Sequence, residues 1–313
     1  MNKPITISLI APIYGVERYI AEFAESVLSQ SYPHIEYIFV NDGTKDRSME
    51  ILQEIIDTKY AHRKPQIKII NKENGGLPAA RRTGLEHVSG DYVWHVDSDD
   101  WISAGSAEKI AAKIEQTGAE VVYFNYVKEY ENRQSIKRER EYTAATKQQY
   151  VRNIYNHNAF GTLCNKCIKH SVYTSHDYHT PKYGYAEDAC MSVQLIGYAN
   201  SVAFLNEDIY HYRKDIPTAM TSQKRRKRKR EYALNFLGLY EKFRDVAPEK
   251  NPVAVIFDDL LIQAGWYSHF YRLGLFKEYP YLAKGVRRSK MHLGTDVPLS
   301  AQLYIKLIAL FKK

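Results

Sequence analysis

"DYVWHVDSDD", residues 91–100, decides how the rest of the chain is read. It opens as an apolar, β-rich run and closes with three carboxylates, Asp97, Asp99 and Asp100, in four positions. The apolar run predicts a buried strand. Acids this crowded repel one another and raise each other's pKa unless a cation sits among them. Two acids one residue apart, leaving a strand end in one turn, suit a hard divalent ion with oxygen ligands, Mg²⁺ or Mn²⁺. Such an ion keeps positions open for phosphate oxygens and stabilises a departing diphosphate. The competing reading is that Ser98 to Asp100 only cap the segment that follows.

Upstream the same alternation recurs. "ITISLIAPIY" (5–14), "IEYIFVND" (35–42) and "QIKIIN" (66–71) read as strands. "VERYIAEFAESVLSQ" (16–30), "SMEILQEIIDTKY" (48–60) and "LPAARRTGLEHV" (77–88) carry apolar residues at helical spacing. Downstream, "SAEKIAAKIEQTG" (106–118) predicts a helix stopped by Gly118, and "AEVVYFNYV" (119–127) a further strand. Apolar strands between amphipathic helices predict an α/β fold, with a largely parallel sheet covered on both faces. In such sheets ligands bind beyond the carboxyl ends of the strands. The polar clusters "PIYG", "VNDGTKD", "NKENGG" and "VDSDD" all fall at that edge.

Beyond residue 130 the pattern loosens. "ENRQSIKREREYTAATKQQY" (131–150) reads as a charged hairpin or loop, and "GTLCNKCIKHSVYTS" (161–175) as strand or short helix. "EDACMSVQLIGYA" (187–199) opens with two acids and continues as an amphipathic helix, and "SVAFLNEDIYHYR" (201–213) is a last strand. From about 222 onward the chain reads as helical.

Three cysteines in 313 residues are too few and too odd for a disulfide framework. A reducing compartment is expected. The start "MNKPITISLIAPIYG" reads as a strand and not a secretory leader, and no apolar run is long enough to span a membrane. The net charge of +8 is unevenly placed. Residues 1–212 hold 23 Lys and Arg against 27 Asp and Glu, whereas residues 213–313 hold 21 against 9. A basic module follows a mildly acidic body, which admits anionic lipid, nucleic acid or a phosphorylated acceptor as partner.

Four motifs in order resemble those of the family 2 inverting nucleotide-sugar glycosyltransferases, over roughly residues 5 to 215. "PIYGVERYI" resembles that family's P-x-Y-N-x-E-x-Y-[LI]. "VNDGTKDRS" resembles V-[ND]-D-G-S-x-D-x-[ST]. "NKENGGLPAARRTGL" is similar to E-N-x-G-x-x-x-A-R-N-x-G, and "DSDD" to the D-x-D signature. The resemblance implies a GT-A fold, Rossmann-like, followed by a helical basic extension. It implies a catalytic domain over 1–221, with a nucleotide-sugar half to about 127 and an acceptor half over 128–221. Residues 222–313 form the extension.

The resemblance also implies roles. Pro12, Tyr14 and Glu17 line the nucleoside pocket, and Asp42 accepts hydrogen bonds from uracil or ribose. Gly75 and Gly76 let the backbone approach the donor. Arg81 brings a fixed positive charge to the diphosphate or the aspartates. Asp97 contacts the ribose side, and Asp99 carries the metal. Departures are Gly15 for Asn, Thr44-Lys45 for Ser-Thr and Arg82 for Asn; none removes a required carboxylate.

Transfer to a hydroxyl also needs a base. "YAED" (185–188) resembles the family's E-D motif, which points to Asp188 as base and Glu187 as its orienter or an acceptor contact. His211 is a candidate additional metal ligand, and Arg213 a candidate diphosphate contact. Asn165 and Lys166 resemble the family's N-K pair, whose role stays open. "CNKC" (164–167) has knuckle spacing but no second cysteine pair for a zinc site.

The tail begins with "KRRKRKR" (224–230) and ends in a segment whose Leu303, Leu307, Leu310 and Phe311 share a helical face opposite Gln302, Lys306 and Lys313. That is an interfacial pattern. With Arg287, Arg288 and Lys290 it would bind an anionic leaflet at roughly 1 kcal/mol per cation. A helix docked on its own domain, or forming a homodimer contact, is the competing reading. The expectation is a cytoplasmic glycosyltransferase, peripheral at the inner face of the cell membrane. It would use a UDP-sugar and a divalent metal, with a surface-polysaccharide or lipid-linked acceptor and no nucleic acid partner. A sugar nucleotidyltransferase would carry a Gly-rich, Lys-containing loop after the first strand, which "PIYGVERY" lacks. A non-catalytic nucleic-acid-binding protein would explain the tail but not "YAED" or "DSDD".

Overall fold

The strand Ile7–Ile13 (β1) is buried at all seven positions, which requires cover on both faces of the sheet. The structure, a computed structural model, describes residues 3–214, 216, 225–256 and 273–279. β1 runs parallel to β2 (Ile35–Asn41) on one side and β4 (Tyr92–His95) on the other, and β3 (Ile67–Asn71) extends the set beyond β2. Three connecting helices follow as their periodicity predicts: α1 (Ile20–Leu28), α2 (Ser48–Thr58) and α3 (Leu77–Leu85). α1, α2 and α4 (Ser106–Thr117) cover one face through Phe23, Val27, Leu52, Ile56 and Ile110. α3 covers the other through Ala80 against Ile10, Ile38, Val40 and Val93. Its approach is close: a Cβ on Gly84 would stand 2.4 Å from Ile10 Cγ2. A larger residue there would push α3, and with it Arg81, off the sheet.

The remaining strands are β5 (Trp101–Ile102), β6 (Val121–Tyr130), β7 (Arg133–Lys137), β8 (Lys166–Lys169) and β9 (Val202–Arg213). They complete the order β3-β2-β1-β4-β8-β6-β9-β5, with β7 hairpinned onto β6. β8 is antiparallel to both neighbours, β4 and β6, while β9 is parallel to β6. Six of the nine described strands therefore point one way, and the fold is the expected mostly parallel α/β sheet. The charged stretch after residue 130 is a hairpin strand and then α5 (Lys147–Tyr155). The segment around the cysteines supplies both alternatives, β8 and then α6 (His170–Thr174).

A second core joins α5, α7 (Glu187–Tyr198) and α8 (Arg225–Phe243) through Tyr150, Tyr155, Leu195, Tyr232 and Phe236. α8, the start of the basic region, is thus packed on α5 and α7: Tyr232 and Phe236 meet Tyr155, and Phe243 meets Tyr198. No helix among the described residues is long and apolar enough to cross a membrane. Arg287, Arg288, Lys290 and the amphipathic segment 302–313 lie outside the described residues.

Candidate functional site

A cavity of about 860 Å³ opens at the carboxyl edge of the parallel strands. Its floor is made by the ends of β1, β2 and β4. After β1 the chain turns at Gly15 (φ 69°) and leaves Tyr14 on the rim, 56% exposed. After β2, Asp42 is 3% exposed, and its carboxylate accepts from the Gly75 N–H (3.0 Å), the Gly76 N–H (2.8 Å) and Lys72 Nζ (2.6 Å). Asp42 thereby folds the glycine loop over its own end of the cavity. Gly76, at φ 80°, starts α3 in a conformation that disfavours other residues.

After β4 the acids separate into different environments. Ser98 Oγ donates to the Pro12 carbonyl at 2.6 Å, pinning the turn to β1. Asp100 faces inward: it accepts from Tyr210 Oη at 2.7 Å and from the Arg213 N–H at 2.7 Å. Burial and its acidic neighbours push Asp100 well above the usual carboxylate range. Asp97 and Asp99 line the cavity. Asp97 accepts from Arg81 Nη2 at 2.6 Å. Burial, and then the charge of Asp97, raise Asp99 to about 6.

The opposite wall is the start of α7. Ala186 takes a left-handed conformation (φ 62°), which turns Glu187 and Asp188 into the cavity lining. Arg81 Nη1 donates to the Glu187 carboxylate. Burial pushes Glu187 up to about 7 against the pull of Arg81, and burial also raises Asp188. The charge of Arg81 and the Ala189 N–H, which donates to Asp188 at 2.8 Å, pull Asp188 down; burial wins.

The structure thus brings together Pro12, Tyr14, Asp42, Gly76, Arg81, Asp97, Asp99, Glu187 and Asp188. Four other sequence candidates stand elsewhere. Gly75 is behind the lining, its Cβ position 2.9 Å from Lys72 Nζ. Glu17 ties two loops, donating its N–H to Asp46 and accepting from the Arg47 N–H. Arg213 lies outside the lining: its Nε donates to the Asp99 carbonyl at 2.9 Å, and its guanidinium lies between Tyr19 and Trp101. It braces the turn and does not face the cavity. His211, the candidate additional metal ligand, also stands outside the lining. Its Nδ1 is 2.7 Å from Glu129 and its Nε2 2.9 Å from Ser103 Oγ, and its ring stacks on Trp101.

Sequence reading missed the aromatic side of the cavity. Tyr126 and Lys128 on β6, Phe160, Tyr185, Tyr212 and Tyr232 all line it. They arrive from elements far apart in sequence, and only Tyr185, at the head of "YAED", stands beside a motif. It also missed Tyr210 as the anchor of Asp100. Cys164, Cys167 and Cys190 are buried free thiols.

Among the described residues no group of three or more His, Cys, Asp or Glu forms a ready metal cage. The donor set nevertheless fits a hard divalent ion. Asp97 and Asp99 offer carboxylate oxygens one residue apart, in a cavity where acids outnumber the lining cations Arg81 and Lys128. An ion held by two carboxylates fills its other positions with ligand phosphate and water.

Residues 8–176 match the model of glycosyl transferase family 2. The putative glycosyltransferase EpsH of Bacillus subtilis (strain 168) is 31% identical over 219 residues, 68% of this chain. The match spans 62% of the length of that relative. Among solved structures, S. aureus TarS 1–349 in complex with UDP-GlcNAc superposes with a TM-score of 0.66 at 20% identity, covering 90% of this chain and 79% of that one. The mannosyltransferase PcManGT from Pyrobaculum calidifontis, in complex with GDP-Man and Mn²⁺, gives 0.54 at 15% identity, covering 99% and 82%. At these identities the two structures speak for the fold.

Proposed function

Because this chain belongs to glycosyl transferase family 2, we propose that it is an inverting, metal-assisted enzyme that moves a sugar from a UDP-sugar to a hydroxyl of a surface-polysaccharide or lipid-linked acceptor. The observation that carries this reading is one cavity with two acidic poles, Asp97 and Asp99 on one wall and Glu187 and Asp188 on the other, with Arg81 bonded to both Asp97 and Glu187.

In the proposed reaction Tyr14 lies against the base of the nucleotide and Asp42 holds the uracil or ribose side. Asp97 and Asp99 would hold Mn²⁺ or Mg²⁺, which when bound neutralises charge on the departing diphosphate. The acceptor hydroxyl attacks the anomeric carbon from the face opposite the diphosphate. The new C–O bond forms as the old one breaks, and the bonding pair leaves on the diphosphate oxygen. Asp188 takes the hydroxyl proton. Its raised pKa suits it to that task better than an ordinary aspartate. Glu187, clamped by Arg81, orients the start of α7.

The reading treats 1–221 as the catalytic domain, divided near 127, and 222–313 as a basic region whose first helix adds Tyr232 to the cavity wall. The basic composition of that region supports attachment to the cytoplasmic face of an anionic membrane. The test is UDP release from a panel of UDP-sugars with Mn²⁺, Mg²⁺ or EDTA. Metal-dependent turnover, abolished by Asp99→Ala, is expected. Undiminished turnover in EDTA would remove the metal from the scheme.

A further inference from the structure

α8 begins inside the seven-cation run 224–230 and carries its last six members, and its Tyr232 reaches the aromatic side of the cavity. Tyr232 on α8 and Tyr185 before α7 both line that side. Arg228, one turn before Tyr232, lays its guanidinium over the Tyr185 ring, 5.6 Å from the centroid. This arrangement is held in register. The Tyr185 N–H donates to Glu231 at 3.1 Å, and Asn235 Nδ2 donates to the carbonyls of Tyr183 (2.9 Å) and Tyr185 (3.1 Å).

The cations of the run are not used alike. Arg230 is committed to Glu278 and to the Leu273 carbonyl. Lys227 stands 3.7 Å from Glu231. Arg228 is different: its Nε is buried and has no hydrogen-bond partner among the described residues. Among the described residues no carboxylate forms an ion pair with this half-buried guanidinium, the counter-charge that usually accompanies a cation taken out of water. Its fork geometry matches phosphate oxygens two at a time. The neighbouring aromatics offer flat faces of the kind that hold sugar rings.

Resting on the glycosyltransferase reading, we propose that the acceptor is a phosphate-bearing glycan. Its sugar lies on the aromatic wall, and its phosphate is read by Arg228, with Arg226 extending the positive field outward. The phosphate can belong to a phosphodiester polymer or to a lipid diphosphate; the recognising chemistry is shared.

The full chain, with UDP and Mn²⁺ present, is titrated calorimetrically with three probes built on chitobiose. One is neutral, one carries a methyl phosphodiester, and one is linked through diphosphate to a short prenyl chain. At least one phosphorylated probe should bind about tenfold tighter than the neutral one, with the advantage shrinking at high salt. Preference for one phosphorylated probe over the other identifies the source. Arg228→Gln should reduce the advantage to about threefold or less, and Arg228→Lys should restore part of it. Arg226→Gln, at an exposed position, guards against an Arg228 variant that merely unpacks Tyr185, and should lower the advantage about twofold. If no phosphorylated probe outbinds the neutral one, or if both Gln variants keep the full advantage, the phosphate site is overturned. A chain that fails to bind UDP with Mn²⁺ in the same cell brings down the glycosyltransferase reading instead.

Discussion

Arg81 on α3 and Glu187 at the start of α7 form a buried ion pair across 106 positions of sequence. The same guanidinium donates to Asp97 at 2.6 Å. One cation therefore ties the strand-end acids to the helix that carries Asp188. Burial works against the charge, but Glu187, Asp97 and Asp188 together hold the guanidinium pKa well above its ordinary value. Removing one partner of a buried pair costs far more than the pair itself contributes, because a bare charge is left behind. Arg81→Met is expected to lower the unfolding free energy by about 3–5 kcal/mol in urea titrations. Arg82→Met, one position along and exposed, should change it by less than about 0.5 kcal/mol. Equal small losses would mean that no such clamp exists.

The Asp188 assignment predicts a split between binding and turnover. Asp188→Asn keeps the shape of the side chain and its bond from the Ala189 N–H, so UDP affinity should stay within about threefold while kcat falls at least about a hundredfold. The base works deprotonated, and burial raises its pKa. Transfer should therefore be present above that raised pKa and lost as pH falls through it. The acid limb of the rate profile then lies above the ordinary aspartate range. A limb near pH 4, or an Asn variant with most of its turnover, would move the base elsewhere.

The strands and helices of the first third could be read from the chain because the signals are local. An apolar run, a turn glycine and a 3.6-residue period each act within a few residues. The strand-end acids were legible for the same reason. Partners were not. Asp100 stands next to Asp99 in sequence but faces Tyr210, and only the β9 register settles that. His211 and Arg213 sit near the aspartates along the same strand end. Yet the two-residue strand Trp101–Ile102, too short to show a period, pairs with β9 and turns both to its own side. The aromatic wall needs β6, the 159–162 loop and α8 to converge, and no local pattern announces a convergence of that kind.

Glu36 supplies a pH test of the sheet itself. Its carboxylate accepts from Ser8 Oγ (2.5 Å), the Ser89 N–H (2.9 Å), Ser89 Oγ (2.5 Å) and Lys68 Nζ (2.6 Å). Burial opposes the charge, but these bonds together hold the pKa down at about 2. A depressed folded-state pKa means stability that is complete above the unfolded value of about 4.3 and lost as pH falls toward about 2. Glu36→Gln should destabilise the protein by about 1–3 kcal/mol at neutral pH and flatten the acid side of its melting-temperature profile. A wild-type profile as flat as that of the variant would contradict the assignment.

Lys166 gives the sharpest test of the cavity wall, because it touches none of the proposed reacting groups. It is 1% exposed, and its Nζ donates to the carbonyls of Phe160 (2.8 Å) and Thr162 (2.6 Å) and to Asn165 Oδ1 (2.8 Å). Burial lowers its pKa to about 8. Those bonds shape the loop that supplies Phe160, Gly161 and Thr162 to the cavity. Lys166→Met fills the volume but strands two carbonyls, which costs about 1–3 kcal/mol. The loop borders the proposed acceptor side, so KM for the acceptor should rise about tenfold while KM for the UDP-sugar stays put. Asn165→Ala should move the same constant in the same direction. A rise in the donor constant instead would place this loop on the nucleotide side and exchange the two halves of the proposed site.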